Sequence, residues 1–238
     1  MGERTISHEF GGEPLQSVWV GTEGAMRGTV ILVPTFCGIS ELELGFARDL
    51  ASRGHAVLVA DLWGRSYDAG TERDGAFEHM GRLKSDRAAL RDRMLALVEV
   101  AKAQEGVDPQ RIAAIGYCFG GLCVLDLART GADVAGVASF HGLFDAPDLA
   151  TQPIRAKVLA LHGWDDPMVP PDAVVGLARE LTEARADWQI HGYGHVGHAF
   201  TNPQADRIGF AGVAYNQAAT RRSRAALHDF LDELFGGE

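Results

Sequence analysis

Cysteine is scarce in this 238-residue chain, which has three: Cys37, Cys118 and Cys123. An odd and widely spaced set cannot build a disulfide framework, and no CxxC pair offers the usual zinc or redox spacing. A reducing, cytoplasmic setting is expected. Basic charge is also short, with 22 Lys+Arg against 32 Asp+Glu and a net charge of −10. Nucleic acid and anionic membranes are not attracted to such a surface, so neither is expected as a partner. Long apolar runs are missing too. Nothing approaches the ~18 consecutive apolar residues of a membrane span, and the opening MGERTISHEF has no apolar stretch of signal-peptide length. Ile6 stands where N-myristoylation needs Ser or Thr. Glycine is the opposite case: its 29 residues exceed the ordinary share of ~7% without any G-X-Y period, which points to tight turns and close backbone approaches.

Two short segments, 5–10 and 15–20, flank Gly11-Gly12 and predict an antiparallel hairpin. From residue 29 onward, short apolar runs (29–33, 56–60, 111–115, 134–140, 158–162, 188–193) alternate with segments of helical period (42–52, 84–104, 119–130, 172–184, 223–235). Strands apolar on both faces and separated by helices predict a mostly parallel sheet covered on both sides. Within 84–104, Leu90, Met94, Leu97, Val98 and Ala101 recur at helical spacing, and Gly106 and Pro109 mark the stop. No repeat or linker-like tract interrupts the pattern, so one α/β domain over 1–238 is expected. The least patterned stretch is 63–82, which reads as a lid or binding loop, or equally as a solvated excursion.

The chemistry concentrates in Gly116-Tyr117-Cys118-Phe119-Gly120-Gly121, set between an apolar strand and a helical segment. A nucleophile elbow needs small residues two before and two after the nucleophile, because its sharp turn presses the flanking backbone against strand and helix. Gly116 and Gly120 meet that need. Cys118 would then stand at a helix N-terminus, where the dipole favours a thiolate. An acid and a histidine should follow in that order, each after a later strand. The acid comes from Gly163-Trp164-Asp165-Asp166-Pro167-Met168-Val169, where Asp165 competes with Asp166. The histidine comes from His191 to Phe200, where His195 competes with His198 and His191 reads as structural. The glycines between these histidines prevent the helix that a metal pair would need, so no metal and no cofactor are expected. Gly192-x-Gly194-x-x-Gly197 fits a dinucleotide fingerprint in letters only, since no helix and second strand follow it.

GYCFGG around Cys118, HGWDDPMVP around Asp166 and GHAFTNP around His198, in this order, resemble the dienelactone hydrolase family of the α/β-hydrolase superfamily. The resemblance spans about residue 29 to the C-terminus. It implies the α/β-hydrolase fold, a Cys118–His198–Asp166 triad acting on a small-molecule carboxylic ester or lactone, and an oxyanion hole from the backbone N–H groups of Phe119 and Phe36, with Cys37 the weaker candidate for the second. Family members acting on the carboxylated lactone have a glutamate where this chain has Thr35, and an arginine where it has Asn202. Those departures imply a different or less acidic substrate, with His198 itself generating the thiolate.

Thr35, Cys37, Tyr117, His141, Trp164, Phe200 and Asn202 are candidates for the substrate pocket, although buried cysteine and aromatic residues are as readily explained by core packing. Two competing readings remain at this stage. One is a non-catalytic binding or sensing protein on the same fold, whose mark would be a broken triad. The other is a thiol-redox protein pairing Cys118 with Cys37.

Overall fold

The computed structural model describes residues 2–21, 26–149 and 151–236; residues 1 and 238, the bounds of the expected domain, lie outside them. The chain begins with strands β1 (Gly2–Phe10) and β2 (Glu13–Gly21), joined through Gly11 and Gly12 at positive φ. Then come β3 (Thr29–Val33), α1 (Glu41–Ser52), β4 (Ala56–Val59), α2 (Arg73–Ser85), α3 (Arg87–Lys102) and β5 (Ile112–Tyr117). The second half holds α4 (Phe119–Arg129), β6 (Gly136–Phe140), β7 (Lys157–Gly163), α5 (Pro171–Glu183), β8 (Trp188–Tyr193), a 3-10 turn at Ala205–Ile208 and α6 (Gln217–Phe235).

The strands form a single eight-stranded sheet in the order β1-β2-β4-β3-β5-β6-β7-β8. β1, β2 and β4 are joined antiparallel and the remaining neighbours pair in parallel. The α/β-hydrolase fold implied by the motifs is therefore present. Central strands β3, β4, β5 and β6 are buried along their whole length, which is why they read as unbroken apolar runs. Helices α3, α4 and α5 cover one face through residues such as Leu90, Met94, Leu122 and Leu177. On the other face α1 and α6 pack Leu50, Leu227, Phe230 and Phe235.

Ions tie the first helix layer together. Asp126 on α4 is fully buried, receives both Nε and Nη2 of Arg87 on α3 at 2.6 and 2.7 Å, and bonds Arg129 Nη1 at 3.0 Å. Arg129 in turn grips Glu180 on α5 with two bonds of 2.7 and 2.8 Å. Arg87, Asp126, Arg129 and Glu180 each thus face a partner of opposite sign, as buried ions require.

Two expectations need correction. The unpatterned stretch 63–82 is not all loop: α2 occupies its second half and continues to Ser85. Its only buried residue is Ala76, so no apolar period betrays it. The helix expected from Lys84 starts instead at Arg87, because the Asp86 side chain caps it by accepting from Ala89 N–H.

Candidate active site

The turn from β5 into α4 places Cys118 at φ 55°, ψ −115°, outside the regions that L-residues ordinarily occupy. The surrounding backbone enforces this conformation. A Cβ on Gly120 would lie 2.3 Å from the Val33 carbonyl oxygen, and one on Gly116 would lie 2.0 Å from that of Gly120. Only glycine permits β3, β5 and α4 to meet so closely. Cys118 N–H donates to the Phe140 carbonyl at 3.0 Å, which fixes the elbow to β6.

Asp166 lies in the turn after β7. Its backbone N–H reaches the Gly163 carbonyl at 3.1 Å, and Met168 N–H donates to its Oδ1 at 2.8 Å. The same turn is stitched to the segment after β8 by Trp164 N–H to the Tyr193 carbonyl and Asp165 N–H to the Val196 carbonyl, both 2.9 Å. His198 is held by its N–H to the Gly212 carbonyl at 2.8 Å. These ties bring three distant chain positions together: His198 Nδ1 donates to Asp166 Oδ2 at 2.7 Å, and its Nε2 stands 3.1 Å from Cys118 Sγ. The competing pair lies elsewhere. His195 and Asp165 face each other at 3.6 Å on the surface, with the histidine side chain fully exposed.

Burial pushes the His198 imidazolium down, but the Cys118 thiolate, the Asp166 hydrogen bond and its charge together outweigh it and raise the pKa to about 10. The raised value favours an imidazolium facing the Cys118 sulfur. Two further thiols, Cys37 and Cys123, are pushed upward. Burial, reinforced by the charge of Glu43, lifts Cys37 to about 12, and burial holds Cys123 well above its ordinary value. Such thiols are poor nucleophiles at neutral pH.

A cavity of about 520 Å³ opens over Cys118 and His198, and Thr35, Phe36, Cys37, His141 and Asn202 line it. Three other candidates do not. Tyr117 is one residue from Cys118 on a strand, so it projects to the opposite face, where it stacks on Phe46 and Phe140 at 4.4 and 4.6 Å. Trp164 is 42% exposed and lies against Gly192, away from the cavity. Phe200 is fully buried beneath His141 and Tyr193. His141 itself sits edge-to-face with His198 at 5.2 Å, and Nε2 pairs with Thr201 Oγ1 at 2.8 Å. Burial keeps its pKa well below the ordinary value, so it adds no second cation beside His198.

Sequence reasoning offered 63–82 as a lid or binding loop without naming the residues that roof the cavity. Phe77 on α2 stacks on Phe36 at 4.5 Å and meets Phe210 at 5.7 Å edge-on. Arg73 lies over the Phe210 ring at 5.1 Å and bonds the Ile208 carbonyl at 3.3 Å. The spacing of Arg73 and Phe77, one helical turn apart, was a signal too short to separate from a solvated helix. Among the described residues, no group of three His, Cys, Asp or Glu is disposed to hold a metal ion, and no helix is long and apolar enough to cross a membrane.

Known proteins resemble this chain in sequence and in fold. An uncharacterized protein of Caenorhabditis elegans is 33% identical over 157 residues, covering 64% of this chain and 99% of its own length. A carboxymethylenebutenolidase of Rhodococcus opacus is 23% identical, covering 80% and 77%. Among solved structures, a dienelactone hydrolase-like promiscuous phosphotriesterase from metagenomic libraries superposes with a TM-score of 0.91 at 33% identity, covering 98% of both chains. The model of the dienelactone hydrolase family matches residues 15–235. The chain therefore belongs to the dienelactone hydrolase family, whose members are hydrolases of the α/β-hydrolase superfamily.

Proposed function

We propose that this hydrolase cleaves small carboxylic esters or lactones with Cys118 as nucleophile, His198 as proton carrier and Asp166 as the group that orients the imidazole. The 3.1 and 2.7 Å contacts of His198 with the other two carry this reading. In the resting pair the proton is on His198 Nε2. Cys118 Sγ forms a bond to the carbonyl carbon while the carbonyl electrons move to oxygen. The backbone N–H groups of Phe119, the first residue of α4, and of Phe36 receive that oxyanion. Collapse breaks the C–O bond, and the departing alkoxide takes the proton from His198. Neutral His198 then removes a proton from water as its oxygen attacks the thioester. A second collapse releases the acid and restores the thiolate.

The cavity supports a substrate with an apolar or aromatic portion. Phe36, Phe77 and Phe210 line it with Met80, Leu143 and Val213, beside the charged side chains of Glu41, Asp68 and Arg207. A single domain working in a reducing, cytoplasmic compartment fits a free thiol nucleophile and the three unpaired cysteines. The 0.91 superposition on a promiscuous phosphotriesterase, together with this apolar roof, favours a second, weaker activity on neutral phosphate triesters.

The test is hydrolysis of a panel of p-nitrophenyl esters, lactones, dienelactones and a p-nitrophenyl phosphotriester by the wild type, Cys118→Ala and His198→Ala. Ester hydrolysis should drop by at least about three orders of magnitude in each variant, and mass spectrometry should find an acyl group on Cys118. Full activity in Cys118→Ala would overturn the mechanism.

A further inference from the structure

Glu43 is a buried carboxylate that the proposed reaction leaves unused. It has no exposed surface, and among the described residues no lysine, arginine or histidine lies within salt-bridge distance of it. Four donors serve it instead. Ser40 N–H and Oγ–H reach Oε2 at 3.0 and 2.5 Å, and Thr35 N–H and Oγ1–H reach Oε1 at 3.3 and 3.0 Å.

The Ser40 half of this arrangement is a capping box at the start of α1, which needs only the bonds between Ser40 and Glu43. Capping alone does not call for complete burial. The other oxygen reaches back across the loop to Thr35. That residue opens a turn closed by Gly38 N–H to the Thr35 carbonyl at 3.1 Å. The next residue is Phe36, whose N–H has no acceptor among the described residues. Both Thr35 and Phe36 line the cavity beside Cys118. Burial holds the Glu43 carboxyl above the usual carboxylate range, against the bonds from Ser40 and Thr35 that pull it down. A carboxyl group kept here is satisfied by the loop and so dictates where the loop lies.

We propose that Glu43 is a positioning residue for the oxyanion hole: through Thr35 it locks the Thr35–Phe36 peptide so that the Phe36 N–H aims at the developing oxyanion. This rests on the triad reading above and extends it. A donor fixed before the reaction needs no reorganisation during it, and a small displacement loses much of its effect. The carboxylate acts on the transition state, where the oxygen carries charge, more than on the bound ester, so kcat should suffer before KM.

Glu43→Gln preserves shape but presents an amide NH2 to a donor, breaking one side of the network. For p-nitrophenyl acetate, kcat per active site, counted by the acylation burst, should fall at least about tenfold with KM changed less than about twofold. Alkylation of Cys118 by iodoacetamide is the control, because displacement at a saturated carbon forms no oxyanion; its rate should stay within about twofold of wild type. Unchanged kcat in a folded Glu43→Gln protein overturns the proposal. An equal fall in alkylation and acylation also overturns it, by assigning Glu43 to the thiol. Should Glu43→Gln fail to fold, Thr35→Val decides by the same readouts, with Thr35→Ser expected to restore kcat. Activity surviving in Cys118→Ala would defeat the triad reading itself, a result distinct from full kcat in Glu43→Gln.

Discussion

The floor and the roof of the cavity are built by different physics. The floor consists of the ends of β5, β7 and β8, where backbone meets backbone at distances only glycine allows and each turn is closed by main-chain hydrogen bonds. The roof is a side-chain construction, in which Phe36, Phe77 and Phe210 touch by their rings and Arg73 clasps the last of them. A contact of the first kind tolerates almost no substitution, since every neighbour is main chain. One of the second kind can be rebuilt with other apolar residues at a cost of about 1 kcal/mol. Chemistry is therefore anchored where variation is forbidden, and substrate choice where it is permitted.

Removing Asp166 should break the floor most severely. Asp166→Ala leaves His198 without its orienting acceptor, and ester hydrolysis should fall by about three to four orders of magnitude while the circular dichroism spectrum persists. Next is Gly120→Val, which forces side-chain atoms into the Val33 and Pro34 carbonyls. Thermal or urea unfolding should show a loss of at least about 1–3 kcal/mol, with activity lost alongside.

The charge state of the floor gives a third break. His198 is raised from its ordinary 6.5 to about 10, so the histidine contributes stability that is full below about 6.5 and is lost as the pH rises through about 10. Cys118→Ser removes the thiolate, leaving burial to dominate. Histidine NMR titration should then place His198 several units lower than in the wild type, and the alkaline decline in stability should flatten. A titration unchanged by the substitution would mean that the thiolate is not the source.

The roof should respond mildly and selectively. Phe77→Ala opens the aromatic column, and KM for aryl esters should rise about three- to tenfold, equivalent to about 0.7–1.4 kcal/mol of lost apolar contact, with kcat for an acetyl ester nearly unchanged. Trp164→Ala is the smallest: the ring lies outside the cavity, so kinetics should not move and stability should shift by no more than about 0.5 kcal/mol.

The same division explains what could be read from the chain. Gly116, Cys118 and Gly120 are legible because a strained turn admits few residue types, and the elbow and the Asp166 turn follow the buried strands β5 and β7, whereas β8, before the His198 turn, is a partly exposed edge strand. Register and order therefore survive in the letters. The roof leaves no such trace. α2 presents Phe77 and Met80 to the cavity but buries only Ala76 and carries Gly75 and Gly81, so its apolar period is too weak to mark a helix. Early α6 is similar: Gln217 to Arg222 is mostly exposed, and the apolar pattern starts only near Ser223. Pocket aromatics misled for a further reason. Tyr117, Trp164 and Phe200 stand next to functional residues in sequence, yet Tyr117 ends β5 and points to the face opposite Cys118, while Trp164 and Phe200 stand in turns, where no period tells which way a side chain points.

Three non-glycine residues with left-handed φ border the cavity: Cys118 at 55°, His141 at 37° and Ala199 at 55°. Backbone bonds hold each against its own preference, Cys118 N–H to the Phe140 carbonyl, His141 N–H to the Leu161 carbonyl and Asn202 N–H to the Ala199 carbonyl, at a cost of order 1–3 kcal/mol. Directed evolution for heat tolerance would find relief at these very positions, Ala199→Gly being the simplest change. Selection on melting temperature alone would thus tend to slacken the histidine loop, and thermostable descendants of this chain should be screened for turnover at every round.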